Sequence, residues 1–168
     1  MGKIFENMKY LIRQDAGLGD ILYCQKLCTV LKENTGGEII WPITKEYLYL
    51  PEYIKNNFQY CSADVLSKSQ MAVFNSPVSD ICEFIDDETN ETIVYIPLGE
   101  SYKTHPTISV MESKYSFVNI SPNDWANYFE ITRNYEREEK LLNHLKIDKT
   151  SKFNLVNLTF GTYPNTAT

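Results

Sequence analysis

The stretch KYLIRQDAGLGDILYCQKLCTVLKENTGGEIIWPIT, residues 9–44, decides the fold. It opens on Lys9–Arg13, a short apolar run with β propensity, which breaks at Gln14-Asp15-Ala16-Gly17-Leu18-Gly19-Asp20. Ile21, Cys24, Leu27, Cys28 and Leu31 then recur at three- and four-residue steps, the spacing of an amphipathic helix. Asn34-Thr35-Gly36-Gly37 supplies the stop, because glycine accepts the left-handed geometry of a helix C-terminus. Glu38–Thr44 (EIIWPIT) is extended again. Strand, glycine turn, helix, glycine stop and strand make a βαβ unit, which predicts two parallel strands with a right-handed crossover.

Further on the pattern is less regular. Tyr47–Asn56 reads as a short helix with Pro51 in its first turn, and Ala63–Phe74 is open to either a strand or a helix edge. Thr92–Leu98 (TIVYIPL) is a buried strand, flanked by an acidic turn at Asp86–Glu91. Gly99–Thr107 reads as the loop beyond that strand, Ile108–Tyr115 as a helix and Phe117–Ile120 as a short strand. One long helix is expected from Asn123 or Asp124 to about Leu145, and a last strand at Phe153–Phe160. Together these predict an α/β fold with a mainly parallel, Rossmann-like sheet and helices on both faces.

Composition narrows the function. With 168 residues, 43% hydrophobic and 23% charged, the chain suits a domain with its own core rather than a disordered, collagen-like or coiled-coil protein. A net charge of −6 gives no overall basic field, which argues against nucleic acid as a partner. No run of apolar residues is long enough for a signal peptide near the start or for a membrane span elsewhere. The four cysteines, Cys24, Cys28, Cys61 and Cys82, lack a second Cys or His pair of metal-ligand spacing, and only His105 and His144 could complete one. They read as reduced, mostly buried thiols, with no metal, and point to a cytoplasmic location.

The loop Asp15–Asp20 carries the chemistry. Ligands of an open parallel sheet sit beyond the carboxyl ends of its strands, where this loop joins the first strand to the first helix. Gly17 and Gly19 allow a ligand to approach the backbone. The loop is not a dinucleotide fingerprint, since Leu22 stands where the third glycine belongs, and it lacks the Gly-Lys-Ser/Thr of a nucleotide P-loop. Asp20 has two readings: a helix N-cap, or a general base facing the crevice. Spacing favours the cap, whose hydrogen bonds would make it a poorer base. His105, on the second crevice loop, suits an anionic acceptor together with Lys103, although a plain surface-loop histidine is the simpler reading. Arg133 suits an anion or an ion pair with neighbouring glutamates, and His144 the negative end of a helix. Asp86-Asp87-Glu88 reads as a solvated turn.

Ala16-Gly17-Leu18-Gly19-Asp20-Ile21-Leu22, with the helix and EIIWPI behind it, resembles the opening of heptosyltransferase-type glycosyltransferases of the GT-B fold. A second patch agrees: Met111–Tyr115, Asp124–Phe129, Arg133-Asn134 and Glu138–Leu142. The resemblance implies that Asp20 deprotonates an acceptor sugar hydroxyl, with Asp15, Gly17, Leu18, Gly19, Lys103 and His105 lining the acceptor site. It also implies that Gly161 and Thr162, in FNLVNLTFGTYPN, meet the phosphates of a nucleotide-sugar donor. Residues 1–150 would then be the acceptor-side domain, and 151–168 the linker and first strand of a missing donor domain. The acceptor would be a glycan or lipid-linked sugar, reached in the cytoplasm or at the inner face of the membrane. No separate cofactor is called for, and the truncated chain would be inactive without its second half. Two rival readings are a non-catalytic module binding a phosphorylated small molecule, and another nucleotide-dependent enzyme such as a methyltransferase.

Overall fold

A computed structural model describes residues 8–104, 108–148, 150 and 152, and the backbone of 159–160 and 163–164. The chain divides into two compact units, at Thr132 and Arg133. The first holds a five-stranded sheet. Its strands are β1 (Lys9–Ile12), β2 (Glu38–Pro42), β4 (Tyr60–Cys61), β5 (Cys82–Ile85) and β6 (Thr92–Ile96), in the order β4-β2-β1-β6-β5. β1 is parallel to β2 and β6, and β2 to β4, while β5 alone runs antiparallel to its neighbour. The fold is therefore mixed α/β with a mostly parallel sheet, and β1 is its centre.

Alternation along the strands gives the sheet two apolar faces. Tyr10, Ile12, Val94 and Ile96 pack with Ile21 of α1 (Leu18–Tyr23), Leu27 and Cys28 of α2 (Gln25–Thr35), and Cys24 between the two helices. Tyr115 of α4 (Val110–Phe117) joins the same cluster. On the opposite face Leu11, Ile93 and Tyr95 meet Phe74 of α3 (Lys68–Phe74). Helices cover both faces because β1 and β6 are apolar on both.

The helix expected across Ile21–Asn34 is broken at Cys24. Gln25, wholly buried, donates from its side chain to the Ile21 carbonyl (2.8 Å), the group an unbroken helix would offer to the Gln25 amide. Its Nε2 also bonds the Tyr60 hydroxyl, and Asn56 Nδ2 donates to its Oε1 (3.0 Å). Gly36 closes α2 in the left-handed conformation (φ 66°), as the glycine stop predicts.

Four other expectations change. Tyr47–Asn56 is two 3₁₀ turns, Lys45–Tyr47 and Leu50–Glu52, followed by β3 (Ile54–Lys55). Phe117–Ile120 ends a helix instead of forming a strand: Asn119 adopts φ 56° and the Ile120 amide returns to the Tyr115 carbonyl (3.0 Å). The long helix from 123 does not exist. Asp124 takes φ 57°, Trp125–Tyr128 form a 3₁₀ turn, and β7 (Glu130–Ile131) pairs antiparallel with β3. Trp125 and Phe129 are drawn into the main core, so tertiary contact overrides helical spacing. Asp86 is not solvated but buried, where it accepts hydrogen bonds from Ser67, Ser69 (2.9 Å) and Thr89 (2.9 Å).

The second unit contains α5 (Tyr135–Leu145), capped by Asn134, whose Oδ1 accepts from the Arg137 amide (2.9 Å). It also has a two-stranded antiparallel ribbon, β8 (Thr159–Phe160) with β9 (Tyr163–Pro164). The expected strand at Phe153–Phe160 thus lies, up to Leu158, outside the described residues.

Two predictions follow from this packing. A Cβ at Gly37 would meet the Met8 carbonyl oxygen at 2.3 Å and a Tyr10 ring carbon at 2.5 Å, where β2 enters beside β1. Gly37→Ala should therefore cost about 1–3 kcal/mol in urea denaturation, by forcing the two strands apart. Burial pushes the Asp86 carboxyl up, but the hydroxyls of Ser67, Thr89 and Ser69 outweigh it and hold it below its ordinary value of 3.8. A carboxylate depressed in the native state contributes stability above its unfolded pKa and loses it as acid titrates the folded form. Stability should fall from about pH 5 downward, and less steeply in Asp86→Asn, as read from Tm against pH.

Candidate functional site

The carboxyl ends of β1, β2, β4 and β6 open on the same side, and backbone hydrogen bonds stitch the loops that leave them. The Gly99 amide donates to the Arg13 carbonyl (3.0 Å) and the Thr44 amide to the Asp15 carbonyl (2.8 Å). Trp41 Nε1 donates to the Gln14 carbonyl (2.9 Å), and Gln14 Nε2 to that of Ala16 (2.8 Å). The loop after β1 is thus clamped between the neighbouring strand ends.

Asp20 is not an N-cap. Gly17 holds that position with φ 82°, and no side chain caps α1. The geometric reason is the tightness of the turn, which places Asp20 in the first turn of the helix with its carboxylate lying back over Gly17. A Cβ on Gly17 would come within 2.7 Å of Asp20 Oδ2. Glycine is required there twice, by the positive φ and by the carboxylate above it. Gly19 differs, since a Cβ on it would meet nothing within 4 Å.

The partner of Asp20 is Lys114 of α4, whose Nζ lies 3.4 Å from Asp20 Oδ1. The Lys114 side chain is only 3% exposed and that of Asp20 is 35% exposed, so a buried ammonium supports a carboxylate that reaches solvent. Lys114 also donates to Gln14 Oε1 and to the Leu98 carbonyl (3.4 Å). α4 is anchored beside this cluster by Ser113, whose hydroxyl meets that of Ser101 (2.8 Å). Lys114 and Gln14 are members of the site that residue-type reasoning passed over. Lysine is seldom fully buried without a partner, but nothing local in Ser113-Lys114-Tyr115 marks this one as buried.

The other candidates separate. Asp15 and Gly17 are half-buried, and Leu18 and Gly19 exposed, all beside Asp20 on the same loop. Lys103 ends the 3₁₀ segment Leu98–Lys103 and is ion-paired with Glu100, whose carboxylate hydrogen bond raises the lysine pKa. Among the described residues no ion pair or hydrogen bond joins it to Asp20. His105, Gly161 and Thr162 lie outside the described residues. Arg133 forms a two-pronged ion pair with Glu138 (Nε–Oε1 2.9 Å), and His144 sits in the last turn of α5. All four cysteines are free. Burial pushes Cys24 up to about 12 and Cys61 to about 11, so these thiols stay protonated near neutrality. Among the described residues no group of three His, Cys, Asp or Glu side chains could hold a metal ion. No helix among them is long and apolar enough to cross a membrane.

Comparison of the chain with protein-family models, with curated proteins and with solved structures finds no match. The chemistry of the site therefore rests on its own geometry.

Removing either member of the Asp20–Lys114 pair leaves the other without its counter-charge. Asp20→Asn and Lys114→Met should each lower stability by about 1–3 kcal/mol. The double variant should lose less than the sum of the two, and a coupling energy near zero in the double-mutant cycle would refute the pairing.

Proposed function

We propose that this chain is the acceptor-side, Rossmann-like half of a GT-B sugar transferase, with Asp20 as the general base. One observation carries the reading: a solvent-reaching carboxylate, fixed by a buried ammonium, at the carboxyl edge of a parallel sheet. That is where an open α/β sheet binds its ligands. Oδ1 is taken by Lys114, while Oδ2 accepts no hydrogen bond among the described residues and is the oxygen available to an acceptor hydroxyl.

In this reading Oδ2 takes the hydroxyl proton as the acceptor oxygen attacks the anomeric carbon of a nucleotide sugar. The bond from that carbon to the diphosphate breaks, and the sugar is transferred with inversion. Asp15, Gly17, Leu18 and Gly19 shape the acceptor side, with Lys103 and His105 on the neighbouring loop. Gly161 and Thr162 belong to the donor side. The acceptor is a glycan or lipid-linked sugar, met in the cytoplasm or at the inner membrane face.

The burial of Lys114 favours a second reading, a binding module for a phosphorylated small molecule in which the ion pair only braces the loop. The two part on one experiment. In a polypeptide supplying the donor half, Asp20→Asn should lower kcat about 10²–10⁴-fold, the usual worth of a general base, with the KM for nucleotide sugar unchanged. Undiminished turnover in that variant rules out the base.

A further inference from the structure

We propose that the outer edge of β5 is a strand-addition site for an extended basic segment of another protein, in which apolar and Lys or Arg side chains alternate on one face. β5 ends the strand order, so among the described residues its second edge pairs with no strand. The Asp86 amide donates to the Glu91 carbonyl (2.9 Å), which turns the backbone of Asp86 toward β6. Backbone groups alternate along an antiparallel strand. Those of Phe84 and Cys82 therefore also face β6, and those of Glu83 and Ile85 face outward. Each outward residue offers one amide and one carbonyl to an incoming chain.

The side chains say what kind of chain fits. Ile81, Glu83 and Ile85 share one face and are all exposed, the two isoleucines at 42% and 56%. Cys82 and Phe84, on the other face, pack against the Leu11 cluster. Natural edges are blunted by proline, lysine or a bulge. Ile81–Ile85 holds no proline and no lysine, and its pairing with β6 runs without a bulge from Cys82 to Ile85. Its one charge is Glu83. Neither Glu83 nor Asp80 beyond it has an ion pair or hydrogen bond among the described residues.

A second copy of this chain does not supply the missing charge. Two β5 strands related by a twofold axis pair antiparallel, and residues directly opposite share a face. According to register, Glu83 then stands opposite Ile81, Glu83, Ile85 or Asp87, never a cation. Like charges directly opposite repel, and a carboxylate pressed on isoleucine loses water without a counter-charge. Lysine or arginine opposite Glu83, with isoleucine or valine opposite Ile81 and Ile85, suits all three positions. The net charge of −6 draws such a segment toward the chain. The inference stands whether or not Asp20 acts as a base, since none of these residues belongs to that loop.

The test is an amide-resolved NMR titration of the 168-residue chain with the peptide KTIVKTIR, carried to ~2 mM to detect a Kd below the millimolar range. Paired antiparallel with its central lysine opposite Glu83, this peptide sets its isoleucines opposite Ile81 and Ile85. Its end residues then reach Asp80 and Asp87. It should saturably shift the amides of Glu83 and Ile85 and slow their hydrogen exchange, as new backbone hydrogen bonds do. KTIVETIR, with glutamate for that lysine, should bind about tenfold more weakly. KTPVKTIR, whose proline removes an amide from the ladder, should not bind. Glu83→Lys alters an exposed side chain, so the chain should keep its fold, read from the same spectra, and reverse the order of the first two peptides. The proposal fails if KTIVKTIR does not saturate, if its shifts centre away from Glu83 and Ile85, or if either altered peptide binds as well. It fails too if Glu83→Lys keeps the original order. Protection of the Glu83 and Ile85 amides that grows with chain concentration, without peptide, would give the edge to a second copy and overturn the proposal as well.

Discussion

A single buried ammonium organises the open edge of this sheet. Lys114 cannot leave water without acceptors, and its acceptors come from three separate segments: Gln14 beyond β1, Leu98 beyond β6, and Asp20 in α1. Once α4 packs Tyr115 into the core, Lys114 is carried inward with it, and the three segments must converge on it. The charge therefore fixes the β1 loop against the β6 loop and sets the direction in which Asp20 points. Packing at the helix face and geometry at the strand ends become one problem, with one solution.

The part of this arrangement legible in the sequence is the part written locally. Residues 9–44 carry their strand, turn, helix and stop within a few positions of one another, and β1, the Gly36 C-cap and β2 all form there. TIVYI forms β6 for the same reason, a run of β-branched and aromatic residues between turn signals. Even here a distant contact intrudes. The break at Cys24 depends on Gln25 meeting Tyr60, 35 positions away, and no helical periodicity encodes that meeting.

Where the pattern misled, the local signal was real and a tertiary contact outweighed it. Residues 123–145 have helical spacing, but Trp125 packs against Tyr23 (5.1 Å) and Glu130–Ile131 complete a ribbon with β3, so only Tyr135–Leu145 remains an α-helix. Elsewhere a usable signal stood in plain view. Ser67 with Gln70 and Ser109 with Glu112 are capping boxes, and they mark the starts of α3 and α4. The first would have resolved the second half of Ala63–Phe74, Lys68–Phe74, as a helix, behind the 3₁₀ turn at Ala63–Val65. For the site itself, Asp20 and its glycines were legible as a loop at a strand end. Lys114 was not, because its hydrogen bond to Gln14 spans 100 positions.

The two glycines of that loop argue differently about what the loop is for. Gly17 is explained by structure alone, since φ 82° and the carboxylate above it exclude any side chain. Gly19 has no such explanation. It stands in the first turn of α1, where alanine would fit without contact and would favour the helix by about 0.5–1 kcal/mol. A residue that forgoes stability with no return in packing is the kind of local inconsistency found at functional positions. Bare backbone at Gly19 faces open space instead of a neighbouring element, so the packing that requires Gly17 does not extend one turn into the helix.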